Sequence, residues 1–171
     1  GSSNNADFSS IQQASDALMC GGISSPVIFH LENGVYNEKV SFSNIPGTSA
    51  INTIVFDSKS GEKSDVVVSN NTSDATIILN GTSYVSFENI TIDHKKAAYG
   101  NCVRAEGKAS SLAFKNVTFD GVEAEVSGSG SAVVYFTSTA NKNNVQFVDC
   151  EFNNGSIGLC KGGVDEENRD T

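Results

Sequence analysis

The chain has 171 residues with a net charge of −9 at pH 7, and that balance argues against a phosphate-backbone partner, which would want clustered Lys and Arg. Hydrophobic residues make up 38% and charged residues only 18%, with the apolar ones in short regular runs, so the chain is a folded, β-rich domain and not a disordered one. No apolar run reaches membrane-spanning length, which excludes insertion by a helix.

Gly1-Ser-Ser opens a segment, residues 1–5, that reads as a tag or linker remnant, so the absence of a secretory signal carries no information about destination. Residues 6–22 show a helical stripe at Phe8, Ile11, Ala14 or Ser15, and Leu18. Asp7 is the expected N-cap, and Gly21-Gly22 the stop. Strands are predicted at Pro26–Leu31, Glu38–Phe42, Thr53–Asp57, Val66–Ser69 and Thr76–Leu79, with turns at Glu32–Tyr36 and Pro46-Gly47 and a loop at Lys59–Lys63.

A ten-residue stretch then occurs three times: Tyr84–Asp93, Ser111–Asp120 and Asn144–Asn153. Its apolar columns are Val85, Leu112 and Val145, then Phe87, Phe114 and Phe147, then Ile90, Val117 and Cys150, then Ile92, Phe119 and Phe152. Alternation holds through the first two columns, slips by one residue, and resumes, so each copy reads as strand, tight corner, strand. Such a unit at a period of about thirty residues predicts a solenoid of parallel β-structure, about four coils over residues 23–163, each stacked at about 4.8 Å on the last. Cys102–Ala105 and Ala132–Phe136 supply the remaining strand of two coils, and Ser156–Cys160 starts one more. The helix then serves as a cap that closes the first end, where a solenoid would otherwise expose unpaired backbone.

The slipped residues Asn89, Asn116 and Asp149 form a corner column in which stacked amides are expected to hydrogen-bond, Asp149 lying near one end because it cannot donate. Cys150 sits in an apolar column and reads as a small core hydrophobe, although four cysteines also admit disulfides in an exported protein. Residues 164–171 read as an acidic flexible tail. With no second cap in sight, the chain is expected either to continue beyond Thr171 as part of a longer protein or to pair with another copy.

Asp93 and Asp120 end equivalent strands, about 5 Å apart by rung spacing, with Asn153 next in line. With Glu123 and Glu125 they form an oxygen-rich edge that suits calcium or a shared proton. The alternative is a turn position that takes Asp or Asn for its backbone hydrogen bonds. Arg104, two residues before Glu106, is expected on an outward face as half of an ion pair. Tyr36, Tyr84, Tyr99 and Tyr135 are the tyrosines available to a sugar platform, Tyr99 foremost because it lies in a loop. His30 and His94 have no Ser or Cys elbow nearby, so no nucleophile and base are legible.

The run Asp7-Phe-Ser-Ser-Ile, Gly21-Gly-Ile-Ser-Ser-Pro-Val-Ile-Phe29, Gly34-Val-Tyr-Asn-Glu-Lys-Val40 and Ile45 to Phe56 resembles the opening of right-handed parallel β-helix proteins of the pectin lyase-like group. In particular it is similar to exported surface proteins of Bacteroidota. The Gly34–Val40 turn also resembles one that opens pectin methylesterases, but the catalytic motifs of that family do not appear: Gly121-Val-Glu-Ala-Glu-Val126 stands where its catalytic segment would be. The resemblance implies an all-β, right-handed parallel β-helix with an N-terminal capping helix, secreted or held at the outer cell surface. Its expected role is non-catalytic, with no catalytic residue and no required cofactor. It binds a polysaccharide or cell-surface glycan, or displays downstream domains of its own chain, with binding residues Asp93, Tyr99, Arg104, Asp120, Glu123 and Glu125. The alternative is a carbohydrate-active enzyme, esterase-like or lyase-like, with a calcium and carboxylate site at Asp93 and Asp120.

Overall fold

A computed structural model of the protein describes residues 6–95, 99–123, 128–141 and 143–162. The first rung of the solenoid is β1 (Val27–Leu31), β2 (Gly34–Asn37) and β3 (Val40–Phe42), and the second is β4 (Ile54–Ser58), β5 (Val66–Asn70) and β6 (Ala75–Asn80). The third is β7 (Ser83–Glu88), β8 (Thr91–His94) and β9 (Asn101–Glu106), and the fourth is β10 (Ser110–Lys115), β11 (Thr118–Asp120) and β12 (Ala132–Phe136). β13 (Gln146–Val148), β14 (Glu151–Asn153) and β15 (Ile157–Lys161) complete the fifth. Each rung gives one strand to each of three five-stranded sheets: sheet A is β1-β4-β7-β10-β13, sheet B runs from β2 to β14, and sheet C from β3 to β15. Among the described residues every strand pairing is parallel and joins neighbouring rungs.

The rungs number about five, against the four expected from sequence. The first two rungs hide from the repeat because their corners differ. Phe29 lies seven residues before Tyr36 and Phe56 twelve before Val68, against five from Phe87 to their register equivalent Ile92, the second rung carrying the excursion Lys59–Asp65. Asn80-Gly81, a hairpin-type pair in sequence, instead turns the chain onto the next rung, with Gly81 at φ 70°.

Like residues lie over like through the core. Phe29, Phe56, Phe87, Phe114 and Phe147 stack in one column along sheet A, with successive ring centroids 4.8, 5.5, 5.8 and 5.1 Å apart and rings within 16° of parallel. Most of these separations exceed the rung spacing of about 4.8 Å, so the rings are offset, the arrangement that aromatic quadrupoles favour. Phe119 and Phe152 stack likewise in sheet B, at 5.0 Å.

Asn89 and Asn116 of the corner column are joined in a hydrogen-bonded ladder. Asn89, Asn116 and Asp149 all adopt left-handed backbone, φ 53°, 51° and 53°, which Asn and Asp tolerate better than most residues. Asn116 Nδ2 donates to Asn89 Oδ1 (2.8 Å), and Asn89 Nδ2 donates to Asp57 Oδ1 (2.8 Å), so the charged acceptor Asp57 ends the ladder on the second rung.

The helix α1 (Ile11–Gly21) buries Ile11, Ala14, Ser15 and Leu18 against the first rung. Its N-cap is Ser10, whose hydroxyl accepts from Gln13 N, and not Asp7: the chain is still extended at Ser10 (φ −148°), three residues after Asp7. The helix also covers the sheet edge that the first rung presents. Gln12 Oε1 accepts from Ser41 N (2.7 Å) and Ser15 Oγ donates to Ser41 O (2.8 Å), so two backbone groups of edge strand β3 find partners.

Glu38, in the turn between β2 and β3, accepts at its two carboxylate oxygens from the first helical N–H groups, Ile11 N (3.0 Å) and Gln12 N (2.9 Å). The Gly34–Val40 motif thereby has a physical account. Gly34 takes φ 154°, Tyr36 turns inward and donates from its hydroxyl to Glu32 O (2.8 Å), Glu38 holds the helix, and Val40 is buried. Tyr36 is therefore a core residue and no sugar platform. Glu38→Ala is expected to destabilise the protein by about 1–3 kcal/mol, the range for charge-assisted bonds to buried donors, and Glu38→Gln by less, because one acceptor survives. Thermal unfolding of both variants checks the order; equal and negligible shifts would mean that the helix docks without this carboxylate.

Candidate functional site

The sequence-derived site residues separate into two places flanking the loops that join sheet B to sheet C. Asp93 and Asp120 are in register on sheet B, between Ser69 below and Asn153 above. Lys95 binds both carboxylates, its Nζ 3.0 Å from Asp93 Oδ1 and 3.2 Å from Asp120 Oδ2. Asn154 Nδ2 donates to Asp120 Oδ1 (2.6 Å), and Ser69 Oγ lies 3.4 Å from Asp93 Oδ2. Glu123 is exposed in the loop beyond, and Glu125 lies outside the described residues.

This arrangement answers a chemical question. The hydrogen bonds that Lys95 donates to Asp93 and then to Asp120 raise its pKa, so the ammonium holds its proton and is poorly suited to act as a lyase base. The same ammonium stands between the two carboxylates, where a calcium ion would have to sit. Among the described residues no group of three or more His, Cys, Asp and Glu is arranged to hold a metal. Cys102 is fully buried behind the pair; burial, followed by the negative charges of Asp93 and Asp120, pushes its thiol far up, so no thiolate nucleophile forms. His94 is buried as well, with Nδ1 3.1 Å from Thr76 Oγ1. Because the Thr76 hydroxyl donates to Asp93 O (2.7 Å), it must accept from His94 Nδ1–H, which fixes the tautomer and gives the imidazole a structural role.

The second place is a groove of about 170 Å³ on sheet C, lined by Tyr99, Asn101, Arg104, Tyr135, Asp74 and Ser129 with neighbouring backbone. Arg104 and Tyr135 are register partners on β9 and β12, and Tyr99, 47% exposed, rises from the loop before β9. Arg104 Nε lies 3.3 Å from Glu106 Oε2, the ion pair expected for residues two apart on one strand face. Asn101 fixes the floor. Its backbone N–H donates to Asp74 O (3.0 Å), and its side-chain Nδ2 donates to Ser129 O (3.0 Å) and Ala132 O (2.6 Å), tying the second, third and fourth rungs together. Gly100 N donates to Gly130 O (2.7 Å), which joins the two flanking loops. Gly100 is required here: it has φ 141°, and a Cβ would lie 1.9 Å from His94 Nε2.

The structure thus brings Tyr99 and Arg104 together, and brings Asp93 and Asp120 together, but does not merge the two pairs. Asp74 and Asn101 join the groove without having been singled out, and Tyr135, one of the four tyrosines named for a sugar platform, joins it as well. Aligning Cys102-Val-Arg-Ala105 on Val133-Val-Tyr-Phe136 would have placed Tyr135 over Arg104.

Comparison with known proteins supports the fold. The crystal structure of the pectin methylesterase from Aspergillus niger in deglycosylated form superposes with a TM-score of 0.56 at 16% identity, over 86% of this chain and 54% of that one. The fold is a right-handed parallel β-helix. This chain spans about half the length of that pectin methylesterase, and the likeness at this identity is one of fold alone. No protein-family model matches the sequence, and neither does any curated protein.

Proposed function

We propose that this β-helix is a non-catalytic glycan-binding module of an exported, cell-surface protein, with its sugar site in the sheet C groove. The observation that carries the reading is the convergence of Tyr99, from the loop before β9, with Tyr135 and Arg104 of sheet C on one groove. Aromatic rings present apolar faces to the C–H side of a sugar and hydroxyls to its rim, while Arg104, ion-paired with Glu106, adds a donor plane. Because Asn101 cross-links three rungs beneath, the groove is formed before the ligand arrives, which lowers the entropic cost of binding.

The second reading is a carbohydrate-active enzyme at the Asp93 and Asp120 edge, favoured by the register of the two carboxylates and opposed by Lys95, whose single ammonium binds both and offsets one of their two charges. Affinity electrophoresis on plant, algal and host polysaccharides, with and without calcium, separates the two. Selective retention that is independent of calcium and weakened about tenfold or more by Tyr99→Ala, as for loss of an aromatic anchor, is the expected result. Retention that needs calcium and disappears in Asp120→Asn would transfer the function to the carboxylate edge. Retention on none of the polysaccharides would overturn the glycan reading.

A further inference from the structure

Resting on the glycan-binding reading, we infer that the protein has a second sugar site, a cleft of side-chain amides where sheet B turns toward sheet C, which holds a sugar residue through neighbouring hydroxyls. The cleft has a volume of about 230 Å³ and is lined by Asn37, Asn70, Asn71 and Thr72, with Glu38 and Lys95 beside them. Lys95, at the start of the connection from β8 to β9, lines the cleft, whereas Tyr99, near the end of that connection, lines the sheet C groove.

The deciding residue is Asn70. It ends β5, is only 6% exposed, and is held by three backbone donors: Lys95 N on its carbonyl oxygen (2.8 Å), and Thr72 N (2.7 Å) and Ser73 N (3.0 Å) on Oδ1. Two backbone N–H groups on one side-chain atom identify that atom as the oxygen, so the nitrogen is the atom left over. Nδ2 has no hydrogen-bond partner among the described residues, yet it is not sealed inside the protein, because the residue lines the cleft and Nδ2 opens onto it. A side chain more than nine-tenths buried thus aims an unused donor of fixed direction into the cleft, where it calls for a partner.

Asn37 ends β2 on the rung below, and Asn71 follows Asn70. Both are exposed, and neither side-chain amide is hydrogen-bonded among the described residues. An amide presents an acceptor and a donor side by side, and two neighbouring sugar hydroxyls present a donor and an acceptor in return. The fixed Asn70 donor orients the sugar before it arrives, so less freedom is lost on binding. The two charged residues described in the lining are engaged elsewhere: Glu38 accepts from Ile11 N and Gln12 N, and Lys95 binds Asp93 and Asp120. With no aromatic ring among the described residues of its lining, the cleft is the weaker of the two sites.

The test is titration of the isotopically labelled protein with neutral gluco-, xylo- and galacto-oligosaccharides, reading the side-chain amide signals of Asn37, Asn70 and Asn71 alongside the backbone signals of the sheet C groove. The oligosaccharide that fills the groove is expected to shift all three amides in a second, weaker saturation. Asn70→Asp keeps an oxygen for Thr72 N and Ser73 N but turns the free donor into an acceptor. The Asn37 and Asn71 signals should then need about tenfold more sugar to saturate, with the groove unaffected. The thermal midpoint is measured alongside, and should that variant fold poorly, Asn71→Ala, which removes an exposed amide, is expected to weaken the cleft in the same direction. Saturation of the groove with no shift of the three amides would overturn the second site while leaving glycan binding in place. Unchanged cleft affinity in well-folded Asn70→Asp would overturn the part given to that donor, and with it the basis of the inference. Saturation at neither place would overturn the glycan reading itself.

Discussion

Replacing Phe87 with alanine is expected to destabilise the protein by about 3–5 kcal/mol, the cost of truncating a large buried aromatic in a core that cannot collapse around the gap. Phe87 is fully buried at the middle of the five-ring column, stacked on Phe56 at 5.5 Å and Phe114 at 5.8 Å and met edge-on by Phe42 at 5.9 Å. Parallel rungs above and below fix the backbone spacing, so neighbouring rings cannot slide in to fill the void. Phe152→Ala is the comparison: Phe152 stacks on Phe119 alone within its sheet and is 37% exposed on the last rung, so its loss should be markedly smaller. Chemical denaturation of the two variants side by side reads the difference. Similar effects at both sites would mean that the column is not the packed spine described above.

Asn116→Ala is expected to cost about 1–3 kcal/mol through the interrupted ladder, because Asn89 Oδ1 loses its donor in a part-buried corner. Alanine also has to adopt φ 51° there, which asparagine tolerates better. Asn116→Gly separates the two contributions. Glycine takes the left-handed backbone without strain, so whatever destabilisation remains belongs chiefly to the hydrogen bond, less the extra chain entropy that glycine releases on unfolding. If the glycine variant were as stable as the parent, the corner would be held by backbone conformation and the amide ladder would contribute nothing measurable.

The spine and the corners were legible in the sequence wherever a rung repeats with constant spacing. Phe87, Phe114 and Phe147 fall into one column because ten residues in each copy run from one strand through a two-residue corner to the next. Phe29 and Phe56 belong to the same column but stayed hidden, since the corners after them have other lengths, and only the pairing of β1 with β4 and β4 with β7 shows the alignment. Asp57, the acceptor that ends the ladder, escaped for the same reason. Local pattern also misplaced the helix start. Asp7 has the right chemistry for a cap, as Ser10 does, and the choice was made by where the helix docks: Glu38, 26 and 27 residues away in sequence, receives the N–H groups of Gln12 and Ile11.

The candidate site was legible residue by residue but not as an assembly. Tyr99 in a loop and Arg104 on an outward strand face follow from the sequence pattern. Their meeting with Tyr135 and Asp74 depends on three successive rungs lying over one another in a fixed register, which no local window contains. The carboxylate pair shows the converse. Its register follows from the repeat, whereas its chemistry is set by Lys95, a residue outside the repeated stretch whose ammonium binds both carboxylates and offsets one of their two charges.

The most direct test of glycan binding at the sheet C groove is chemical-shift mapping of the isotopically labelled protein during titration with the sugar selected by the polysaccharide panel. Saturable shifts centred on Tyr99, Asn101, Arg104 and Tyr135, with Asp93, Lys95 and Asp120 little changed, are the expected result. Shifts centred on Asp93, Lys95 and Asp120, or no saturable change at the groove, would contradict it.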